Sequence, residues 1–124
     1  MPNSLIISDK IGKFNQVISV SGDKSLSLRW VLFSSLASGV SDAKNLLLSE
    51  DVMAALRVIK KFGIKSKITK NGTKIFGKGI EGYSYKKNII INAKNSGTLG
   101  RLILGLLINT KYPIKIIGDK SLSK

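Results

Sequence analysis

The octapeptide Gly22-Asp23-Lys24-Ser25-Leu26-Ser27-Leu28-Arg29 runs directly into an apolar stretch made of Trp30, Val31, Leu32, Phe33, Leu36 and Ala37. A tight polar turn opening into such a stretch predicts a helix over residues 25–38, stopped by Gly39. A helix this apolar has to be packed on several sides, which limits the folds available to the chain. At its start, unpaired backbone N–H groups and the positive end of the helix dipole coincide with Lys24, the Ser25 hydroxyl and Arg29, a setting suited to an anion. Ser25 and Arg29, four residues apart, share a helix face. Arg29 is the one charge in the apolar stretch, so the pattern predicts a buried guanidinium that needs a negative partner. Either a carboxylate elsewhere in a capped core or a bound ligand satisfies that need.

Upstream, residues 5–8 and 16–20 read as short strands around a turn at Asp9-Lys10-Ile11-Gly12-Lys13. Downstream, residues 42–48 read as extended, and Ser49-Glu50-Asp51 as an N-cap with two carboxylates in the first turn of a second helix. Val52, Ala55, Leu56, Ile59 and Phe62 form its apolar stripe, Arg57, Lys60 and Lys61 its wet face, and Gly63 its stop, the pattern of a surface helix. Residues 64–69 and 73–77 form a hairpin around Lys70-Asn71-Gly72, and residues 89–91 another strand. This alternation is an α/β layer arrangement, in which functional groups gather at strand-to-helix turns.

The next such turn, Asn92-Ala93-Lys94-Asn95-Ser96-Gly97-Thr98, precedes a helix over 99–108 with one charge, Arg101, in its first turn. It repeats the logic of the first: small polar residues and Gly allow close backbone approach, and an isolated Arg stands nearby. Two well-capped core helices would give the same pattern without a ligand. Residues 114–117 form a last strand, and Gly118-Asp119-Lys120-Ser121-Leu122-Ser123 then repeats residues 22–27 letter for letter. Two copies without an intermediate period are a reused turn, not a solenoid.

The 124 residues amount to one domain at most. With neither Cys nor His, thiol nucleophiles, thiolate metal sites and imidazole acid/base chemistry are excluded. The net charge of +14 raises nucleic acid as a partner, but the lysines lie scattered through turns and strand edges, without the interleaved aromatics of a base-stacking platform. The apolar runs are too short to span a bilayer and the first ten residues lack a signal-peptide pattern. The expectation is a cytoplasmic protein with no nucleic-acid or membrane partner.

Four segments together resemble one family: Gly22-Asp23-Lys24-Ser25 with Arg29; Asn45-Leu46-Leu47-Leu48-Ser49-Glu50-Asp51-Val52; Asn95-Ser96-Gly97-Thr98 with Arg101; and Gly118-Asp119-Lys120-Ser121-Leu122. In order and spacing they are similar to the N-terminal part of 3-phosphoshikimate 1-carboxyvinyltransferases, the EPSP synthases. Ser21, where the family usually has Pro, and Leu28, where it commonly has a polar residue, depart from the pattern. The resemblance implies the enolpyruvate-transferase fold, an inside-out α/β barrel of βαβαββ repeats. It assigns residues 1–20 to strands that pack with the other lobe and 21–124 to a partial N-terminal substrate-binding lobe.

The resemblance further implies transfer of the enolpyruvyl group from phosphoenolpyruvate to the 5-hydroxyl of shikimate 3-phosphate, on the way to chorismate and aromatic amino acids, with no cofactor or metal. Carried over to this sequence, Lys24 is catalytic and contacts both substrates, and Ser25 and Arg29 hold shikimate 3-phosphate. Gly97 meets phosphoenolpyruvate, with Asn95, Thr98 and Arg101 in support. Family members are usually monomeric and several times longer, so this chain is expected to be a fragment, inactive alone. The sister transferase acting on UDP-N-acetylglucosamine fits less well, because it has Lys-Asn in place of Lys24-Ser25 and no Arg at position 29. A non-catalytic basic module that binds nucleic acid is the alternative outside the enzyme class.

Overall fold

The computed structural model describes residues 4–10 and 12–124. Helix α1 (Lys24–Leu36) is capped by Asp23, whose carboxylate accepts from the Leu26 N–H at 2.7 Å. It ends before the predicted stop. Ala37 is already extended, at φ −67° and ψ 152°, and the chain enters strand β1 (Ser38–Ala43) with Gly39 inside the strand at φ +106°. The strand expected over 42–48 is therefore displaced towards α1. Pairing decides this, since β1 runs antiparallel to β3 (Gly72–Lys78) from Ser38 opposite Lys78 to Ala43 opposite Thr73, whatever the local propensity of residues 44–48.

Helix α2 (Glu50–Lys61) follows the sequence pattern closely. Ser49 caps it, Val52, Ala55, Leu56 and Ile59 are buried, and Arg57, Lys60 and Lys61 face solvent. Gly63, at φ +79°, ends it by donating to the Lys60 carbonyl. Strands β2 (Lys65–Thr69) and β3 form the hairpin, but its two-residue loop is Lys70-Asn71, and Gly72 opens β3. Neither loop residue has the positive φ of the turn that Asn-Gly favours. The Thr69 hydroxyl closes the loop instead, accepting from the Asn71 N–H at 3.2 Å and donating to the Gly72 carbonyl at 3.0 Å.

The first sheet is antiparallel in the order β1-β3-β2. Strand β4 (Ile90–Asn92), helix α3 (Gly97–Leu106) and strand β5 (Lys115–Ile117) make a parallel crossover unit with a two-stranded sheet. One core joins the parts: Leu28, Val31 and Leu32 of α1, the α2 stripe with Phe62, Ile64 just ahead of β2, Ile75 of β3, and Ile91, Leu99 and Ile103 of the crossover. Each such side chain contributes roughly 1.5–3 kcal/mol by leaving water. The buried Ser35 hydroxyl meets the Tyr83 phenol at 2.6 Å. Burial pushes that phenol above its ordinary value, and the Ser35 bond opposes the shift.

Two expectations are corrected. Residues 4–10 and 12–20 form no strand and are exposed throughout, although Asp9 does mark a bend; Ile11 of that turn lies outside the described residues. A strand needs a partner for its backbone groups, and among the described residues this segment's tie to the rest is the Asn45 side chain donating to the Val20 carbonyl at 3.0 Å. The second correction concerns α1, which buries one side while leaving Leu26, Phe33 and Arg29 exposed. Arg29 is thus not a buried charge, and its partner is not demanded by desolvation.

Candidate anion-binding site

Three helix starts frame the site, and those of α1 and α3 carry the predicted residues. At the first, the Asp23 carbonyl accepts from the Ser27 N–H at 2.9 Å, and the buried Ser27 hydroxyl accepts from the Leu47 N–H at 3.0 Å. A Cβ on Gly22 would lie 2.1 Å from the Asn45 carbonyl oxygen, so only glycine lets this turn rest on the segment that leads into α2. That contact brings the starts of α1 and α2 together, and Lys24 Nζ lies 3.3 Å from Asp51 Oδ2.

Lys24 stands in the first turn of α1, where the dipole disfavours a cation, and Asp51 in the first turn of α2, where it favours an anion. The ion pair offsets the first cost with a charge that is already well placed. Ser25 and Arg29 share the exposed face of α1, as their spacing requires, and Arg29 Nη1 donates to the Ser25 carbonyl at 3.2 Å. The guanidinium is folded back towards the helix start. Among the described residues no carboxylate lies within 4 Å of it, so its remaining donors are open to a ligand.

At the third start, Ser96 caps α3 by accepting from the Leu99 N–H at 3.2 Å. The preceding turn is pinned from both ends. Asn92 Oδ1 accepts from the Lys94 N–H at 2.7 Å, the Lys94 carbonyl accepts from the Asp119 N–H at 2.9 Å, and Lys94 itself sits at φ +55°. Asn95 lines a cavity of about 530 Å³ together with Glu50, Asp51, Arg57, Lys94 and Asp119. Gly97 and Arg101 line a separate one of about 360 Å³ against Gly118 and Leu122. A Cβ added to Gly97 would meet only the Leu122 side chain, at an ordinary 3.7 Å, so packing alone does not require glycine there.

The structure therefore gathers Ser25 with Arg29, and Lys24 with Asp51, and it reaches Asn95 through the cavity that Asp51 lines. Thr98 is exposed in the first turn of α3. Asp51 is the residue that sequence reasoning missed. Its signal was present, a carboxylate two residues after a Ser cap, but that signal stabilises any helix, and only the approach of α1 gives it a second partner. Among the described residues no group of three Asp or Glu side chains forms a possible metal site, and no helix is long and apolar enough to cross a membrane.

Comparison with known proteins is consistent across three kinds of similarity. The family model for EPSP synthase (3-phosphoshikimate 1-carboxyvinyltransferase) matches residues 8–124. The 3-phosphoshikimate 1-carboxyvinyltransferase of Bacillus cytotoxicus is 39% identical over 110 residues, which is 89% of this chain and 26% of that protein. The one from Streptococcus sanguinis is 41% identical over 107 residues, 86% of this chain and 25% of that protein. Among solved structures, EPSP synthase from Acinetobacter baumannii superposes with a TM-score of 0.79 at 32% identity, covering 86% of this chain and 24% of its own. This chain spans about a quarter of the length of these relatives. Its fold is accordingly a partial piece of the enolpyruvate-transferase fold, and the chain belongs to the EPSP synthase family.

Proposed function

We propose that this protein serves the transfer of the enolpyruvyl group from phosphoenolpyruvate to the 5-hydroxyl of shikimate 3-phosphate, as a cytoplasmic monomer acting on small anions without a cofactor. In that reaction the 5-hydroxyl oxygen bonds to C2 of phosphoenolpyruvate while its methylene carbon gains a proton. Inorganic phosphate then leaves C2 as the methyl group returns a proton, restoring the double bond. The observation that supports the reading is that Lys24, paired with Asp51, and Ser25 and Arg29, which share one helix face, all stand exposed in the first six residues of α1, within a chain of this family.

Arg29 and Ser25 hold the phosphate of shikimate 3-phosphate, a bidentate guanidinium being well matched to phosphate oxygens. Lys24 gives one of its three donors to Asp51 and keeps the others for the ligands. Gly97 brings its backbone to phosphoenolpyruvate, Asn95 and Thr98 shape that turn, and Arg101 adds positive charge. These groups anchor and orient. Proton transfer needs positioned acids and bases, and a chain with no His and seven carboxylates supplies few.

Calorimetric titration tests this reading. Arg29→Ala is expected to weaken shikimate 3-phosphate binding by about 10- to 100-fold, the worth of a charge-assisted contact, with little effect on phosphoenolpyruvate. Equal losses for both substrates contradict the assignment. The 124-residue chain alone is expected to release phosphate from the two substrates only at background rate. Turnover above background that Lys24→Ala abolishes shows that the chain carries the proton-transfer groups as well.

A further inference from the structure

We propose that the outer face of the β1-β3-β2 sheet binds single-stranded nucleic acid, a function separate from the transfer reaction. The sheet buries one side only. On β3, Thr73 and Ile75 are buried, and a Cβ on Gly77 would lie 2.4 Å from the Ser34 carbonyl oxygen of α1, so these three point inward. Lys74, Phe76 and Lys78, which alternate with them, point outward and are exposed. The register extends this face to both neighbours: Lys65 of β2 and Val40 of β1 stand opposite Phe76, and Lys67 and Asp42 opposite Lys74.

Read along the sequence these lysines are scattered, but the sheet gathers them around one ring. Lys74 and Lys78 lie two residues either side of Phe76, Lys65 directly across and Lys67 diagonally across, all within about 8 Å by sheet geometry. Lys74 pairs with Asp42 at 3.0 Å, whereas Lys65, Lys67 and Lys78 have no carboxylate within 4 Å among the described residues. Lys67 also faces Lys74 directly, a like-charge pair that weakens a sheet and that an anion lying over it relieves. The next outward row, Thr69 opposite Gly72, borders a cavity of about 440 Å³ that Lys44 and Lys70 also line. The basic strip thus follows the length of β3, roughly 20 Å.

A polyanion fits these charges, and Phe76 decides which one. Its ring, 39% exposed among lysines, offers a stacking surface, the combination by which sheet modules hold unpaired bases while cations track the phosphates. In a duplex the base faces are stacked on one another and cannot reach the ring. An anionic membrane is the poorer match, because it rewards apolar side chains that project from a basic surface, and the most exposed ones, Val17, Ile108 and Leu5, lie elsewhere.

Fluorescence anisotropy with the 124-residue chain and a labelled oligo(dT) of about 12 nucleotides, at about 50 mM salt, tests this. Saturable binding is expected. Phe76→Leu, which keeps the charge and the apolar bulk, should weaken it about tenfold, and should leave binding of a duplex of the same length unchanged. Lys65→Gln with Lys67→Gln should weaken it about tenfold and lower the slope of log affinity against log salt by about 1.4, the worth of two phosphates. Lys10→Gln with Lys13→Gln, which removes the same charge from the exposed N-terminal segment, should change affinity and slope little. If Phe76→Leu lowers the thermal midpoint, the lysine pair, on an exposed edge strand, carries the test. No saturable binding, equal losses from the two lysine pairs, or wild-type affinity in a folded Phe76→Leu overturns the proposal. So does a duplex, or a vesicle with about a third phosphatidylserine, that binds as tightly and loses as much in Phe76→Leu. These variants leave Ser25 and Arg29 intact, so the transferase reading is judged separately, by shikimate 3-phosphate binding.

Discussion

Residues 22–27 and 118–123 are the same six letters, and they fold locally in the same way. Asp23 accepts from the N–H three residues on through its carboxylate and four residues on through its carbonyl; Asp119 does both as well. What differs is what the turn rests on. The first copy leans on the backbone of residues 45–47, buries Ser27, continues into α1 with Arg29, and pairs Lys24 with Asp51. In the second, Leu122 folds back over its own Gly118 and towards Gly97 and Gly100, Ser123 is exposed, and Lys120 has no ion pair among the described residues. A hexapeptide therefore fixes its cap, while its chemistry comes from residues that the rest of the fold brings to it.

Glycine substitution should separate the copies most. Gly22→Ala drives a Cβ into the Asn45 carbonyl, a backbone atom that cannot swing aside, and is expected to cost about 3 kcal/mol in denaturant unfolding. Gly118→Ala meets Leu122 Cβ and Cδ2 at 2.7 Å; Cδ2 can rotate away, while Cβ has to shift with the exposed backbone of residues 120–123, for a smaller cost of about 1–2 kcal/mol. Equal losses would mean that the Asn45 contact is not what distinguishes the first turn. The serine pair comes next. Ser27→Ala strands the Leu47 N–H and should cost about 1–3 kcal/mol, whereas Ser123→Ala, at an exposed hydroxyl, should stay within about 0.5 kcal/mol.

The smallest contrast is electrostatic. A double-mutant cycle on Lys24 and Asp51 should give a coupling of about 0.5 kcal/mol, because the lysine is 58% exposed, and molar salt should erase it. Lys120 paired with Asp51 in the same cycle should give none. Coupling as large for Lys120 would show a diffuse field in place of a contact.

How far the sequence could be read follows the same division between local and distant causes. The cap of α2 and the stop at Gly63 were legible because each is settled within a few residues, whereas α3 runs over Gly97–Leu106 and not 99–108, because the Ser96 hydroxyl takes the cap two residues earlier. The strands expected at 5–8 and 16–20 were not, since a strand is settled by its partner, and β1 took residues 38–43 because β3 lies beside them. The apolar letters of α1 implied burial all round, yet this chain covers only one side, so Arg29 was misread as enclosed. Ser25 and Arg29 could be paired by their spacing alone. The Lys24–Asp51 contact could not, nor could the positive φ of Lys94, because lysine carries no signal for that conformation.

On the proposed reading the first copy, with Arg29 and the Asp51-held Lys24, is an anion site and the second copy is only a cap. Titrating shikimate 3-phosphate into the labelled chain and following backbone amides by NMR tests it most directly, because both copies report in one sample. Saturable shifts are expected at residues 24–29, lost in Arg29→Ala, with residues 120–122 unmoved. Shifts of equal size and affinity at both copies, or at neither, would contradict it.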